Sequence, residues 1–372
     1  MGLRDLGLFE GVFAGKKVLV TGDTGFKGSW LAIWLTEMGA EVYGYSLPPL
    51  SSGDNYVTSG LDKIIHHADG DVRDRVKLEK YFHDTKPDFV FHLAAQSLVL
   101  ESYEDPHYTF ETNVIGTVNL FEAVRKTESA KVAINVTSDK CYQNNNWVWG
   151  YRENDPMGGS DPYSASKGCS ELITNSYQKS FFENHPCHIA SARAGNVIGG
   201  GDWGANRIVA DFFRSTKENQ TLVLRNPRST RPWQFVLEPL SGYLMLCSKL
   251  FRHGKSFSGG WNFGPVDPSQ HTVLQLIEEI IEVLGKGKYR VDQKDNNAPE
   301  ARLLNLDISK AINLLQWSPV LSFSETLQFT IAGYQAGFNQ RNTYHSRTEQ
   351  IQEYVKRATN KNLGWTRNAD HD

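Results

Sequence analysis

Seven residues near the amino end leave a chain of this kind little freedom: Gly22-Asp23-Thr24-Gly25-Phe26-Lys27-Gly28. They follow a β-branched and apolar run, 16–21, that reads as a buried strand, and they precede Ser29-Trp30-Leu31-Ala32-Ile33-Trp34-Leu35, which reads as a helix. Glycines three apart at such a junction permit a tight turn, let backbone N–H groups approach a pyrophosphate, and let helix and strand close on each other. Alone the glycine pattern is weak. Placed after a strand, before a helix and ahead of a second strand at 41–47, it is strong.

Strands and helices keep alternating from there. A third strand is expected at 63–68, ending toward Asp71, a fourth at 88–93, a helix at 110–124, a fifth strand at 132–136, a helix from Ser164 and a sixth strand at 187–193. This predicts an α/β chain: a Rossmann-type doubly wound parallel sheet with a smaller, discontinuous α/β substrate-binding lobe. The glycine-rich stretch 195–203 breaks the pattern, as where the chain leaves the sheet. A helix at 206–216, a strand at 221–224, a basic turn at 225–231 and a helix at 235–250 follow. Beyond them come a strand at 260–265, a helix at 272–284, strands at 289–291 and 301–306, and a last helix capped by Ser322. The expected partition is 1–196 with 234–263 as the dinucleotide domain, 197–233 with 264–335 as the lobe, and 336–372 as an extension, with no assignable pattern after 339.

A chain of 372 residues with 40% hydrophobic side chains can fill two lobes. Its net charge of -3 gives no general attraction to nucleic acid or anionic membrane, so any phosphate must be met by local groups. No apolar run approaches the roughly 20 residues that span a bilayer, and residues 1–15 lack a signal-peptide profile. Cys141, Cys169, Cys187 and Cys247 show no CxxC spacing and read as reduced residues of a cytoplasmic protein, with neither a disulfide frame nor a metal site.

Chemistry concentrates in two segments. Val136-Thr137-Ser138-Asp139-Lys140 puts polar residues where the fifth strand emerges, and Tyr163 and Lys167 stand one helical turn apart on one face. A phenol that works as a base near neutral pH needs its pKa lowered by roughly 3 units, about 4 kcal/mol. A unit charge at about 4 Å in a protein-like dielectric supplies that much, so Lys167 alone is expected to bring Tyr163 into range.

These features occur together, with Gly70-Asp71-Val72-Arg73-Asp74, His92-Leu93-Ala94-Ala95-Gln96 and Asn113-Val114-Ile115-Gly116-Thr117, in an order that resembles extended short-chain dehydrogenases/reductases acting on nucleotide sugars, over nearly the whole chain up to about residue 335. Thr137-Ser138-Asp139-Lys140-Cys141-Tyr142 and Arg231-Pro232-Trp233-Gln234 resemble most the 4,6-dehydratases of CDP-linked glucose. The resemblance implies an NAD-dependent lyase in deoxysugar and O-antigen synthesis. It implies oxidation at C4 of the hexose, loss of water across C5 and C6, and hydride return to C6. Ser138, Asp139, Lys140, Tyr163 and Lys167 would be catalytic, with the acid and base duties of Asp139 and Lys140 left open. Cofactor would lie along Gly22, Thr24, Gly25, Phe26, Gly28, Ser46, Asp71, Val72, Ala94, Ala95, Asn113, Thr137, Tyr163 and Lys167. A homodimer, or a pair of dimers, through the helices carrying Asn113 and Tyr163 is also implied.

Asn196, Arg207, Arg231 and Arg302 are candidates for the sugar and its diphosphate, and Trp203, Trp233 and Phe235 for flanking a base or filling a core. Ser46 offers a hydroxyl where an acid commonly reads the NAD ribose, Lys27 leaves NADP open, and Asp23 puts a carboxylate beside a pyrophosphate unless it points away. Asp71 is equally a helix cap, His92 a core histidine, and 143–159 either a loop over the site or a solvated connector. The alternatives are a nucleotide-sugar 4-epimerase and a non-catalytic dinucleotide-binding regulator.

Overall fold

The computed structural model describes residues 2–266, 271–292, 304–338 and 342–367. Seven parallel strands form the central sheet: β1 (Lys17–Thr21), β2 (Glu41–Ser46), β3 (His66–Asp69), β4 (Phe89–His92), β5 (Val132–Val136), β6 (His188–Ala194) and β7 (Gly259–Phe263). Their spatial order, β7-β6-β5-β4-β1-β2-β3, reverses between β1 and β4. β4 and β5 are buried throughout, as continuous apolar runs in a sheet covered on both faces must be.

The longer helices are α1 (Phe26–Glu37), α2 (Arg75–Thr85), α3 (Gly116–Lys126), α4 (Pro162–Ser180), α5 (Ile208–Lys217), α6 (Leu237–His253), α7 (Val273–Leu284), α8 (Phe323–Phe338) and α9 (Thr343–Asn360). One face packs Trp30 and Trp34 of α1 and Tyr243 and Leu244 of α6 into a single core. The other packs Leu78 and Phe82 of α2 with Leu120 and Phe121 of α3. A third core, built from Phe212, Phe213, Leu276, Ile277 and Tyr334, fills the smaller lobe.

Several local expectations need correction. β3 begins only at His66, because Leu61–Lys63 closes a 3-10 turn first. Leu304 and Asn305 form no strand, and Leu306 makes a single bridge to Tyr151. The helix capped by Ser322 is not the last, although its cap is a reciprocal box: Glu325 N donates to Ser322 Oγ and Ser322 N to Glu325 Oε2. After it α9 lies against α1 and α8, where no pattern was assigned. Its Tyr354 donates to Glu238, its Arg347 is buried against Trp30, and beyond it Trp365 stacks on Phe9 at 4.9 Å. The stretch 143–159 is largely exposed, as a solvated connector is, with Tyr151 its one buried residue. Tyr151 stacks between Tyr142 and Trp147 and pins the stretch behind the fifth strand's end.

Candidate active site

The crevice opens where the strand order reverses, at the carboxyl ends of β1 and β4. Gly22 turns there at φ +76°, and a Cβ on it would stand 2.7 Å from the backbone nitrogen of Ala94. A Cβ on Gly28 would stand 2.1 Å from the Gly22 carbonyl oxygen, so α1 starts against the turn only because that position is bare. The turn and the bare backbone of Ala94 make a cradle of the shape a dinucleotide pyrophosphate needs.

β5 delivers the reactive turn. Its tip is held at both ends by one buried ion pair, Glu171 with Arg193 at 2.7 Å. Glu171 accepts from Thr137 Oγ1 and from Ser191 Oγ, while Arg193 donates to the Tyr142 hydroxyl at 2.6 Å. Between these grips, Ser138 Oγ donates to Asp139 Oδ1 at 2.9 Å and accepts from Lys140 N at 3.2 Å. α4 is capped by Asp161, which accepts from Ser164 N, and begins with Pro162; this fixes Tyr163 in its first turn and Lys167 one turn on. Asn113 ties that helix to the chain after β4: its Nδ2 donates to Ser166 Oγ and to the Gln96 carbonyl, and its Oδ1 accepts from Gln96 N.

Ser138, Asp139, Lys140, Tyr163, Asn196, Arg207 and Arg231 line one cavity of about 1010 Å³, together with Thr137 and Phe26. Lys167 is buried alongside. Burial pushes the Asp139 carboxyl up, against the pull of Lys140, Ser138 and Arg231, so it holds its proton more tightly than an ordinary aspartate. Burial likewise brings Lys167 down to about 8, with Glu171 opposing.

Tyr163 does not behave as the Lys167 spacing predicts. Burial raises its phenol to about 12, although a hydrogen bond to Ser138 and the charge of Arg207 pull the other way. Desolvation of the phenolate is the largest effect on it in this pocket and outweighs the charges around it.

The remaining candidates divide. Gly25 closes the glycine turn through a bond to the Gly22 carbonyl, and Thr24 bonds Ser46. Ala95 follows Ala94 at the end of β4, and Val72 packs under Gly116. Asp71 is held by the Arg73 guanidinium and backbone, while the cap of α2 is Asp74. His92 is a core histidine, 2.7 Å from Thr21 Oγ1 and lowered to about 3 by burial. Arg207 is paired to Asp202 at 2.7 Å. Arg302 lies outside the described residues. Trp233 lines the cavity, Trp203 packs on Tyr334, and Phe235 is sealed in the core against Trp30.

Lys27, left open for a 2′-phosphate, instead enters the catalytic cavity, where burial, Lys167 and Arg207 bring it down to about 8. A lysine in the first turn of a helix opposes the helix dipole, and that misplacement was the available signal. Glu171 and Arg193 carried none, since each looks like an ordinary polar residue until the fold brings them together. Among the described residues no group of three ligating side chains could hold a metal, and no helix is long and apolar enough to cross a membrane.

Residues 19–330 match the family model described as GDP-mannose 4,6 dehydratase. The chain is 46% identical over 350 residues to a CDP-glucose 4,6-dehydratase of Salmonella typhimurium, a match that covers 93% of this chain and 98% of that one. The structure of epimerase Mth375 from Methanothermobacter thermautotrophicus superimposes with a TM-score of 0.76 at 27% identity, covering 91% of this chain and 96% of that one. A Thermus thermophilus UDP-glucose 4-epimerase solved with NAD gives 0.71 at 25% identity, covering 86% and 99%.

Proposed function

The chain belongs to the GDP-mannose 4,6 dehydratase family, and from that premise we propose that it is an NAD-dependent nucleotide-sugar 4,6-dehydratase whose substrate is CDP-D-glucose, converted to CDP-4-dehydro-6-deoxy-D-glucose. The observation that carries the reading is a buried carboxyl with a raised pKa beside an amine, on the same cavity wall as a tyrosine. An epimerase has no need of such an acid-base pair.

Bound in this cradle, NAD would supply the acceptor for the C4 hydride and its return to C6, and a positive ring charge near the tyrosine. Gly22, Gly25 and Gly28 would hold its pyrophosphate, with Thr24, Ser46, Asp71, Val72, Ala94, Ala95 and Asn113 along the remainder. Tyr163 Oη removes the C4 hydroxyl proton, with Ser138 Oγ hydrogen-bonding the oxygen. The Ser138 hydrogen bond and the Arg207 charge favour the phenolate against its burial, and Lys167, one helical turn on, carries a charge that is lost above about 8. A ketone at C4 acidifies C5. Asp139 protonates the departing C6 oxygen, the role its raised pKa suits, and Lys140 takes the C5 proton when its amine is in the neutral form. Arg207, Arg231 and Asn196 meet the diphosphate and sugar.

The neighbouring stretches 99–115 and α4 expose Leu100, Tyr103, Phe110, Ile115 and Leu172, an apolar face consistent with a homodimer of a cytoplasmic enzyme. Sedimentation of the Ile115→Glu, Leu172→Glu double variant, expected to be monomeric, tests the dimer. The activity is tested by incubating the protein and NAD with CDP-, dTDP-, UDP- and GDP-hexoses in deuterated water. The expected product has lost one water, carries deuterium at C5 and forms only from CDP-D-glucose. A C4 epimer of unchanged mass would overturn the reading.

A further inference from the structure

Asp23 is fully buried, and its carboxylate reaches away from the glycine turn across the face of the sheet. Ser46 Oγ donates to Oδ1 at 2.9 Å, and His67 Nδ1 stands 2.7 Å from Oδ2. Gly44 makes the room, since a Cβ there would lie 2.1 Å from Oδ2. The imidazole is itself braced by Asp69, 3.2 Å from Nε2, and by the ring of Tyr56 at 5.3 Å, so the carboxylate has one orientation.

Ser46 ends β2, the place where dinucleotide folds set an acid against the ribose hydroxyl. Its own proton is committed to Asp23. Thr24 Oγ1 stands 2.9 Å from both Ser46 Oγ and the Leu47 carbonyl, which share its one proton, and Thr24 N donates to Ser46 Oγ at 3.4 Å. Neither hydroxyl is therefore left with a proton to offer the crevice, so toward a cofactor each can only accept.

We propose that Asp23 sets cofactor selectivity: by holding Ser46 and Thr24 as acceptors it favours a ribose 2′-hydroxyl, which donates, over a 2′-phosphate, which only accepts and carries like charge. The acid missing from the second strand is supplied by the glycine turn, one hydroxyl removed. Asp23 acts through Ser46 and is a positioning residue. The inference rests on the reading that NAD is the cofactor.

The test is the dissociation constant of NAD and of NADP for the purified protein by calorimetry, without sugar substrate. NAD is expected to bind the native protein at least about tenfold tighter, and Asp23→Asn and Ser46→Ala each to shrink that ratio by roughly three- to tenfold, the worth of one hydrogen bond between neutral groups. Adding Ser46→Asp to Asp23→Asn, which supplies the carboxylate directly, is expected to restore the preference. A fall in affinity for both cofactors by the same factor would mark the pair as structural and overturn the proposal, as would an unchanged ratio in both single variants. Should Asp23→Asn fail to fold, as seen by circular dichroism, Ser46→Ala decides alone. A native protein that binds neither dinucleotide would bring down the reading of the cofactor itself.

Discussion

The first and fifth strands end in the same pattern, Val-Thr-x-Asp: Val20-Thr21-Gly22-Asp23 after one and Val136-Thr137-Ser138-Asp139 after the other. In each, the threonine hydroxyl is tied down, to His92 in the first and to Glu171 in the second, and the aspartate is withdrawn from solvent. The difference lies in what the carboxyl finds. Asp23 meets a hydroxyl on one oxygen and an imidazole on the other, inside the protein. Asp139 has the Ser138 hydroxyl and a wall of the 1010 Å³ cavity. A buried carboxyl whose oxygens are both engaged serves as a fixed acceptor; one left facing a cavity is free to trade a proton.

That contrast breaks most directly at Asp139. Asp139→Asn should lower kcat by about a thousandfold, the scale of a lost general acid, while leaving the dissociation constant for NAD unchanged. An equal loss of kcat in Asp23→Asn with NAD saturating would erase the distinction. Next in size is the ion pair behind the fifth strand's end. Glu171→Gln leaves the Arg193 charge buried with nothing to balance it, and urea unfolding should show a loss of about 3 kcal/mol.

Another buried carboxyl, Glu238, sharpens the comparison, since it is fully partnered yet still pushed up to about 7. Burial is the main cause, opposed by bonds from Tyr354, Val320 N and Leu321 N. Between pH 4.5 and 7 the folded state binds more protons here than the unfolded one, so this contribution is complete below about 4.5 and is lost as pH rises through 7. Glu238→Gln should flatten that part of the stability profile, by on the order of 1–3 kcal/mol across the window, measured by urea midpoints at several pH values. The smallest effect concerns Lys167. Its ammonium is lost above about 8, so kcat should fall on that alkaline side, and Glu171→Gln, by removing the charge that holds the amine up, should move the fall to lower pH.

What could be read from the chain follows from range. The glycine turn and the apolar strands are local patterns whose meaning survives folding, and the Tyr163–Lys167 spacing does set both residues one turn apart on a single helix. The phenol's pKa was misjudged because it depends on how much protein closes over Tyr163, and no local pattern reports that. Helix α9 escaped because its inward stripe, Tyr344, Arg347, Thr348, Ile351, Tyr354, Val355 and Ala358, places an arginine and a threonine at positions expected to be apolar. Arg347 belongs there because Asn55 Oδ1 and the Gly333 carbonyl accept from it and Trp30 lies 4.9 Å beneath it. Phe235 looked available to a base only while the neighbouring Trp30 and Phe329 were unseen.

The stacking of Trp365 on Phe9, with Trp34 and Tyr354 edging the same cluster, joins residues more than three hundred positions apart. During synthesis the indole of Trp34 must therefore wait, wet and adhesive, until almost the whole polypeptide has left the ribosome. A nascent chain stalled before α9 would carry an open aromatic seam, the sort of surface that chaperones hold and that neighbouring chains on a polysome can misjoin.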